Sequence, residues 1–171
     1  MATTTPSYGT KTTLTLDLSS LGTSASFVAG VESAQVDNTS NKFMDFIVSV
    51  DGITGHASTA PTIGQMIVVY AWGSDTSLAT RPIDVLDGTS SAETLGHVSV
   101  LNSLRLVAAP AVTVATAALK YWVPTFSIAS VLGLPVAPAF WGLFVAHNHT
   151  GALGSSNNSL FTYQGIKFDT A

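Results

Sequence analysis

Apolar and polar residues alternate with a period of two again and again along this chain, with no sustained helical periodicity beside them. Thr12 to Leu18 sets Leu14, Leu16 and Leu18 on one face and Thr13, Thr15 and Asp17 on the other. Successive strand side chains point to opposite faces, so this pattern reads as a strand with one buried side. Phe43 to Val50 repeats it, with Met44, Phe46, Val48 and Val50 inward and Asp45 and Ser49 outward. Met66 to Trp72 is apolar on both faces, as in a strand covered from both sides. Leu104 to Ala108, Lys120 to Ile128, Phe140 to Ala146 and Leu160 to Phe168 supply four more runs, and Ala29 to Val36 a weaker one. Separated by Gly, Pro, Asn and Ser, these make about eight strands. The expected fold is all-β: a β-sandwich, read as a jelly roll, with at most one or two short helical turns. Leu21 to Phe27 and Ser127 to Leu132 are the two candidates for those turns. The 171 residues fit one domain over 12–171, with residues 1–11 as an extended N-terminal arm.

Charge is scarce. Six Lys+Arg and ten Asp+Glu make up 9% of the chain, while 20 Ser and 22 Thr take their place. Soluble domains carry about 25% charged residues. Mean hydropathy is +0.41, and no Asp, Glu, Lys or Arg occurs from Tyr121 to Ile166. Such numbers exclude disorder, and a net charge of −4 offers no basic footprint for nucleic acid. Phe126 to Val145 is apolar enough for a hydropathy window, but Pro135 and Pro138 interrupt it and basic anchors are missing. The expectation is therefore no membrane, but a packed domain with much of its surface covered by other protein. Cysteine is absent, and the first ten residues lack both a basic start and an apolar run, so neither disulfides nor a signal peptide is expected.

Few constellations point to chemistry. His147 and His149 lie two apart, so on a strand both rings face one side, toward a metal or a ligand. A turn through Asn148, Thr150 and Gly151 accounts for them more simply, since no third ligand lies near in sequence. Asp37, Asn38, Asn41 and Asp45 resemble a loose calcium loop but lack its central Gly and closing Glu, and Asx residues are what turns are made of. No Gly-x-Ser-x-Gly elbow and no phosphate-binding Gly loop occurs, His56 and His97 sit in Gly-flanked loops, and Glu32 and Glu93 have no evident acid partner. No enzyme activity and no cofactor are expected. Sequons at Asn38, Asn148 and Asn157 follow from the Ser/Thr/Asn-rich composition. Trp72, Trp122, Trp141, Tyr70, Tyr121 and Tyr163 would suit sugar stacking, but they lie inside strand runs, where core packing is the commoner role.

Two segments reach beyond the expected core. Gly73 to His97 is long and polar, with Asp75, Asp84, Asp87 and Glu93, and is read as an irregular loop outside the sandwich core. The Thr-rich arm is the other. Contact candidates are accordingly Thr3, Thr4 and Thr5 in the arm, Asp75, Asp84 and Asp87 in the loop, and Trp141 as a core or interface anchor.

Several short motifs then fall in a familiar order. Asp37-Asn38-Thr39-Ser40-Asn41 precedes Phe43-Met44-Asp45-Phe46, and Tyr70-Ala71-Trp72-Gly73-Ser74 ends a strand. Phe126 to Ala129, Gly133 to Pro135, Trp141-Gly142 through Thr150-Gly151, and Tyr163-Gln164-Gly165 follow. Over about residues 12 to 168 the chain resembles small virion structural proteins of tailed bacteriophages, including capsid cement or decoration proteins. It departs from them at His147-Asn148-His149, where an acidic residue or Asn is expected before Thr-Gly. The resemblance implies a non-catalytic homo-oligomer, a trimer by preference, that binds the major capsid protein on the outside of the head. Such a protein is made in the host cytoplasm and ends in the virion. A carbohydrate-binding jelly-roll module of a tail or receptor-binding assembly is the alternative.

Overall fold

A computed structural model describes residues 4–158 and 160–170. Among them thirteen strands are hydrogen-bonded: β1 (Thr4–Tyr8), β2 (Thr12–Thr13), β3 (Ala29–Glu32), β4 (Val36–Asp37), β5 (Asp45–Val50), β6 (Ile53–Thr54), β7 (Ile67–Ser74), β8 (Ser91–Thr94), β9 (Arg105–Ala108), β10 (Lys120–Tyr121), β11 (Phe126–Ser127), β12 (Phe140–His147) and β13 (Phe161–Thr170). One short helix, α1 (Ile128–Leu132), and a 3₁₀ turn at Val98–Ser103 complete the chain. The fold is all-β and sandwich-like. More strands appear than the alternation gave: two runs break, Ala29 to Val36 into β3 and β4 and Lys120 to Ile128 into β10 and β11 around Pro124, and β1, β6 and β8 form in segments read as arm or loop.

Every pairing is antiparallel. Sheet one runs β1-β13-β5-β11, with β2 also on β13, and sheet two runs β8-β3-β12-β7-β9, with β4 also on β12. A main core fills the space between the sheets. Leu14, Leu16 and Leu18 enter it from the first alternating run, Phe46, Val48 and Phe161 from sheet one, and Val69, Trp141, Leu143 and Val145 from sheet two. Trp141 is fully buried, with Phe46 at 5.2 Å and Tyr163 at 5.4 Å between ring centroids. It is thus a core residue of this chain, and as a partner-contact candidate it is corrected: nothing outside the chain can touch it.

Sheet two is covered on its other face as well. Val68, Trp72, Phe144 and Ala146 point away from the main core and meet Leu78, Leu86, Leu95 and Leu104 in a second core. This corrects the reading of Gly73 to His97 as a loop outside the core. Leu78, Leu86 and Leu95 are at most 3% exposed, and Ser91–Thr94 is an edge strand on β3. Gly142 sits where β12 crosses Trp72; a Cβ there would come within 2.4 Å of the indole, so only glycine fits.

Local polar chemistry fixes the ends of elements. Asp45 accepts from Ser127 Oγ (2.6 Å) and from the Ala129 N–H (2.9 Å), tying β5 to α1, while Ser127 caps the helix and Gly133 ends it at φ 69°. Leu21 to Phe27 is irregular rather than helical, its backbone bonded outward from Ser24 N–H to His147 C=O and from Leu153 N–H to Leu21 C=O.

Candidate functional site

The contact candidates fall in three places. Thr3 lies outside the described residues. Thr4 and Thr5 are exposed, but Thr4–Tyr8 pairs along its whole length with β13, Thr4 opposite Thr170 and Tyr8 opposite Ile166. The expected free arm is therefore an edge strand of sheet one over these residues: all of its side chains but Ser7 are exposed, so no buried face marks the strand in sequence. Asp75, Asp84 and Asp87 are all exposed on the Gly73–His97 segment. Each carboxylate is used locally: Asp75 accepts from Thr76 Oγ1, Asp84 from the Gly96 N–H at 2.6 Å, and Asp87 from the Thr89 N–H at 2.8 Å. Asp84 and Val85 turn the chain between Ile83 and Leu86, with Asp84 at φ 57°.

Beneath that segment lies a polar latch. The Glu32 side chain, with no exposed surface, accepts from the Asp87 N–H through one oxygen and the Gly88 N–H through the other, both at 3.0 Å. Burial pushes its carboxyl up to about 7; the two N–H bonds oppose this, and the nearby charges of Asp87 and Glu93 add to it. Gln35 works beside it, accepting from Leu78 N–H and exchanging hydrogen bonds with Ser77 Oγ, while its own N–H reaches the Gly88 carbonyl. The leucines and these two side chains hold the segment flat on sheet two, leaving Asp75, Arg81 and Val85 on its outer side.

His147 and His149 both turn inward at the end of β12. His147 Nε2 donates to the Leu21 carbonyl at 2.8 Å and Nδ1 accepts from the His149 N–H at 3.1 Å, which fixes its tautomer and uses both nitrogens. The His149 ring packs on Tyr121 at 4.8 Å, and its two nitrogens, like the Tyr121 hydroxyl, are buried without a hydrogen-bond partner among the described residues. Burial, with the neighbouring His147 second, lowers His149 to about 4. Among the described residues no three His, Asp or Glu side chains gather as metal ligands. Asp37, Asn38 and Asp45 likewise spend their oxygens on Thr39, on the Phe43 backbone and on α1.

Comparisons of the chain with family models, with curated proteins and with solved structures find no match. What the chain can bind therefore rests on its own surface.

That surface is apolar for one with so few charges. Ile63, Leu106, Val114, Trp122 and Phe168 are each more than half exposed. Of the aromatic residues considered for sugar stacking, Trp72, Trp141 and Tyr121 are buried, while Trp122 is 64% exposed with Lys120 Nζ 6.0 Å from its ring. The roles of Glu32 and Tyr121, and Gln35 altogether, escaped the sequence reading, because each acts through contacts far away along the chain.

Proposed function

We propose that the chain is a non-catalytic structural protein of a phage virion, a cement or decoration protein that binds the outside of the head and bridges capsid subunits, with its sandwich of the jelly-roll kind. What supports this reading is the surface: large apolar side chains stand exposed on a chain with 9% charged residues, as expected of a protein whose outer faces are covered by protein. The flattened Gly73–His97 segment, presenting Asp75, Arg81 and Val85, is the element assigned to the capsid. The protein assembles with itself, as a trimer where it sits on local three-fold axes. A sugar-binding tail module is the second reading, favoured by exposed Trp122 alone.

Co-sedimentation with tail-less heads of the phage encoding the chain, run beside a glycan-binding screen, tests the proposal. Binding to heads, weakened by Arg81→Glu together with Val85→Asp in a folded variant, is the expected result. Glycan binding without head binding would replace this reading with the second.

A further inference from the structure

Strands β1 and β13 leave sheet one together as a two-stranded ribbon. β5 pairs with β13 only from Phe161 to Ile166, while β1 pairs from Ile166 to Thr170. The chain before β5 bends off at Lys42 (φ 51°), after Met44 N–H has reached the Ile166 carbonyl at 2.7 Å. Beyond Ile166, β13 has β1 on one side and no strand on the other among the described residues.

Antiparallel pairs alternate between hydrogen-bonded and non-bonded, which settles where each backbone group points. Gly9 N–H donates to Gly165 C=O, so Gly9 and Gly165 form a bonded pair. Stepping along the register, Ser7 with Lys167 and Thr5 with Asp169 are bonded pairs too. The N–H and C=O of Phe168 and Thr170 therefore point out of the ribbon, toward its open edge. The opposite edge is different. Pro6 stands opposite Phe168, so the side of β1 facing away from β13 lacks the N–H that would project there. One edge is blocked by proline and the other is open.

The ribbon is also two-faced. Pro6, Tyr8, Ile166 and Phe168 share one face, Tyr8 62% and Phe168 55% exposed, while Thr5, Ser7, Lys167 and Asp169 share the other. A two-stranded ribbon is marginal alone, and an uncovered apolar face adds to its need for a neighbour.

We infer that the open edge of β13 pairs with the same edge of a second copy, antiparallel about a two-fold axis, with Phe168 opposite its own counterpart. Charge selects that register. Centring on Lys167 would set lysine against lysine, and centring on Asp169 would set aspartate against aspartate, both unfavourable directly across strands. Centring on Phe168 sets each Lys167 against the partner's Asp169 and lets the outward N–H and C=O of Phe168 bond reciprocally. Lysine on an edge ordinarily blunts pairing; two residues from an aspartate it becomes a key for one register. The Lys167–Asp169 ion pair within each chain, 3.2 Å and half exposed, is exchanged, so that two pairs within chains become two between them. The four-stranded ribbon β1-β13-β13-β1 then carries Pro6, Tyr8, Ile166 and Phe168 of both copies as one continuous apolar face. The inference stands on edge geometry; it joins copies two by two and is a contact separate from the three-fold one of the capsid reading.

Sedimentation velocity decides it. Phe168→Pro removes the outward N–H at a position that β1 does not use, so far-UV circular dichroism stays unchanged while self-association weakens by roughly tenfold or more, the loss of two hydrogen bonds. Lys167→Asp and Asp169→Lys each weaken it by bringing like charges together, and the double reversal restores it. Should Phe168→Pro disturb the fold, the three charge variants decide alone. A wild-type chain that stays monomeric at high micromolar concentration, an oligomer indifferent to Phe168→Pro, or a double reversal that fails to rescue overturns the inference.

Discussion

Two buried groups give this protein opposite responses to acid, and replacing either one should expose the other. Burial holds His149 down at about 4 in the fold, against 6.5 when free. The unfolded chain therefore takes up its proton first, and stability present above pH 6.5 is lost as pH falls through 4. Between pH 7.5 and 4.5 the linkage relation puts that loss at roughly 2–3 kcal/mol. His147, lowered by burial, acts in the same direction. Glu32 does the reverse. Its folded pKa of about 7 lies above the ordinary 4.5, so its contribution is complete below 4.5 and is lost as pH rises through 7. Over the same interval acidification gains about 3 kcal/mol from Glu32. Glu32 thus works against the two histidines, and the change in unfolding free energy between pH 7.5 and 4.5, measured by urea titration, should lie for the wild type between those of two variants. His149→Phe, which keeps a ring against Tyr121 and removes the titrating nitrogens, should shift that change toward greater stability in acid by roughly 2–3 kcal/mol relative to the wild type. Glu32→Gln should shift it the other way by roughly 3 kcal/mol. If His149→Phe keeps the wild-type pH dependence, the burial argument for this histidine is wrong.

Trp141→Ala should cost about 3–5 kcal/mol, the range for deleting a large buried aromatic, and a loss under about 1 kcal/mol in urea unfolding would remove the ring from the core. Leu86→Ala, in a segment that looks like surface loop in sequence, should cost about 2–5 kcal/mol because its side chain closes the second core; a neutral substitution would return the segment to solvent. Zinc or EDTA should leave the melting temperature unchanged, since both His147 nitrogens are hydrogen-bonded and, among the described residues, no further ligand groups gather at the buried His149 ring; a rise with zinc reversed by chelator would refute this.

How much of this was legible depended on how far apart the interacting residues lie. Period-two runs are local, and those at Thr12–Leu18, Phe43–Val50, Met66–Trp72 and Phe140–Ala146 place Leu16, Val48, Val69 and Leu143 in the core as the alternation implies. Apolar residues on both faces of Met66–Trp72 announced a covered strand. What covers it was not legible: Leu78, Leu86 and Leu95 are eight or nine residues apart among Ser, Thr and Asp, a spacing with no period to detect. Glu32 looked like a lone carboxylate, because its partners are backbone amides more than fifty residues away. Thr4–Tyr8 carries no alternation and contains Pro6, so its pairing shows only once β13 is beside it. The spacing of His147 and His149 did give a shared direction, yet whether the rings met metal, solvent or each other was set by Leu21 and Tyr121, distant in sequence.

Both sheets are built around strands that come late in the chain. β12 lies between β3 and β7, and β13 between β1 and β5, so neither sheet has its central strand until residues 140–170 have been made. Throughout most of synthesis the nascent chain holds only flanking strands, joined at most in pairs and lacking the strand that unites them, with Val48, Val69 and Trp72 uncovered. Assembly must then proceed almost entirely through pairings distant along the chain, the slow regime in which sandwiches close in milliseconds to seconds. A chain that ends before residue 140 holds only the separate pairs β3–β8, β7–β9, β5–β11 and β6–β10, and one that ends before residue 161 leaves β5 with only β11 beside it.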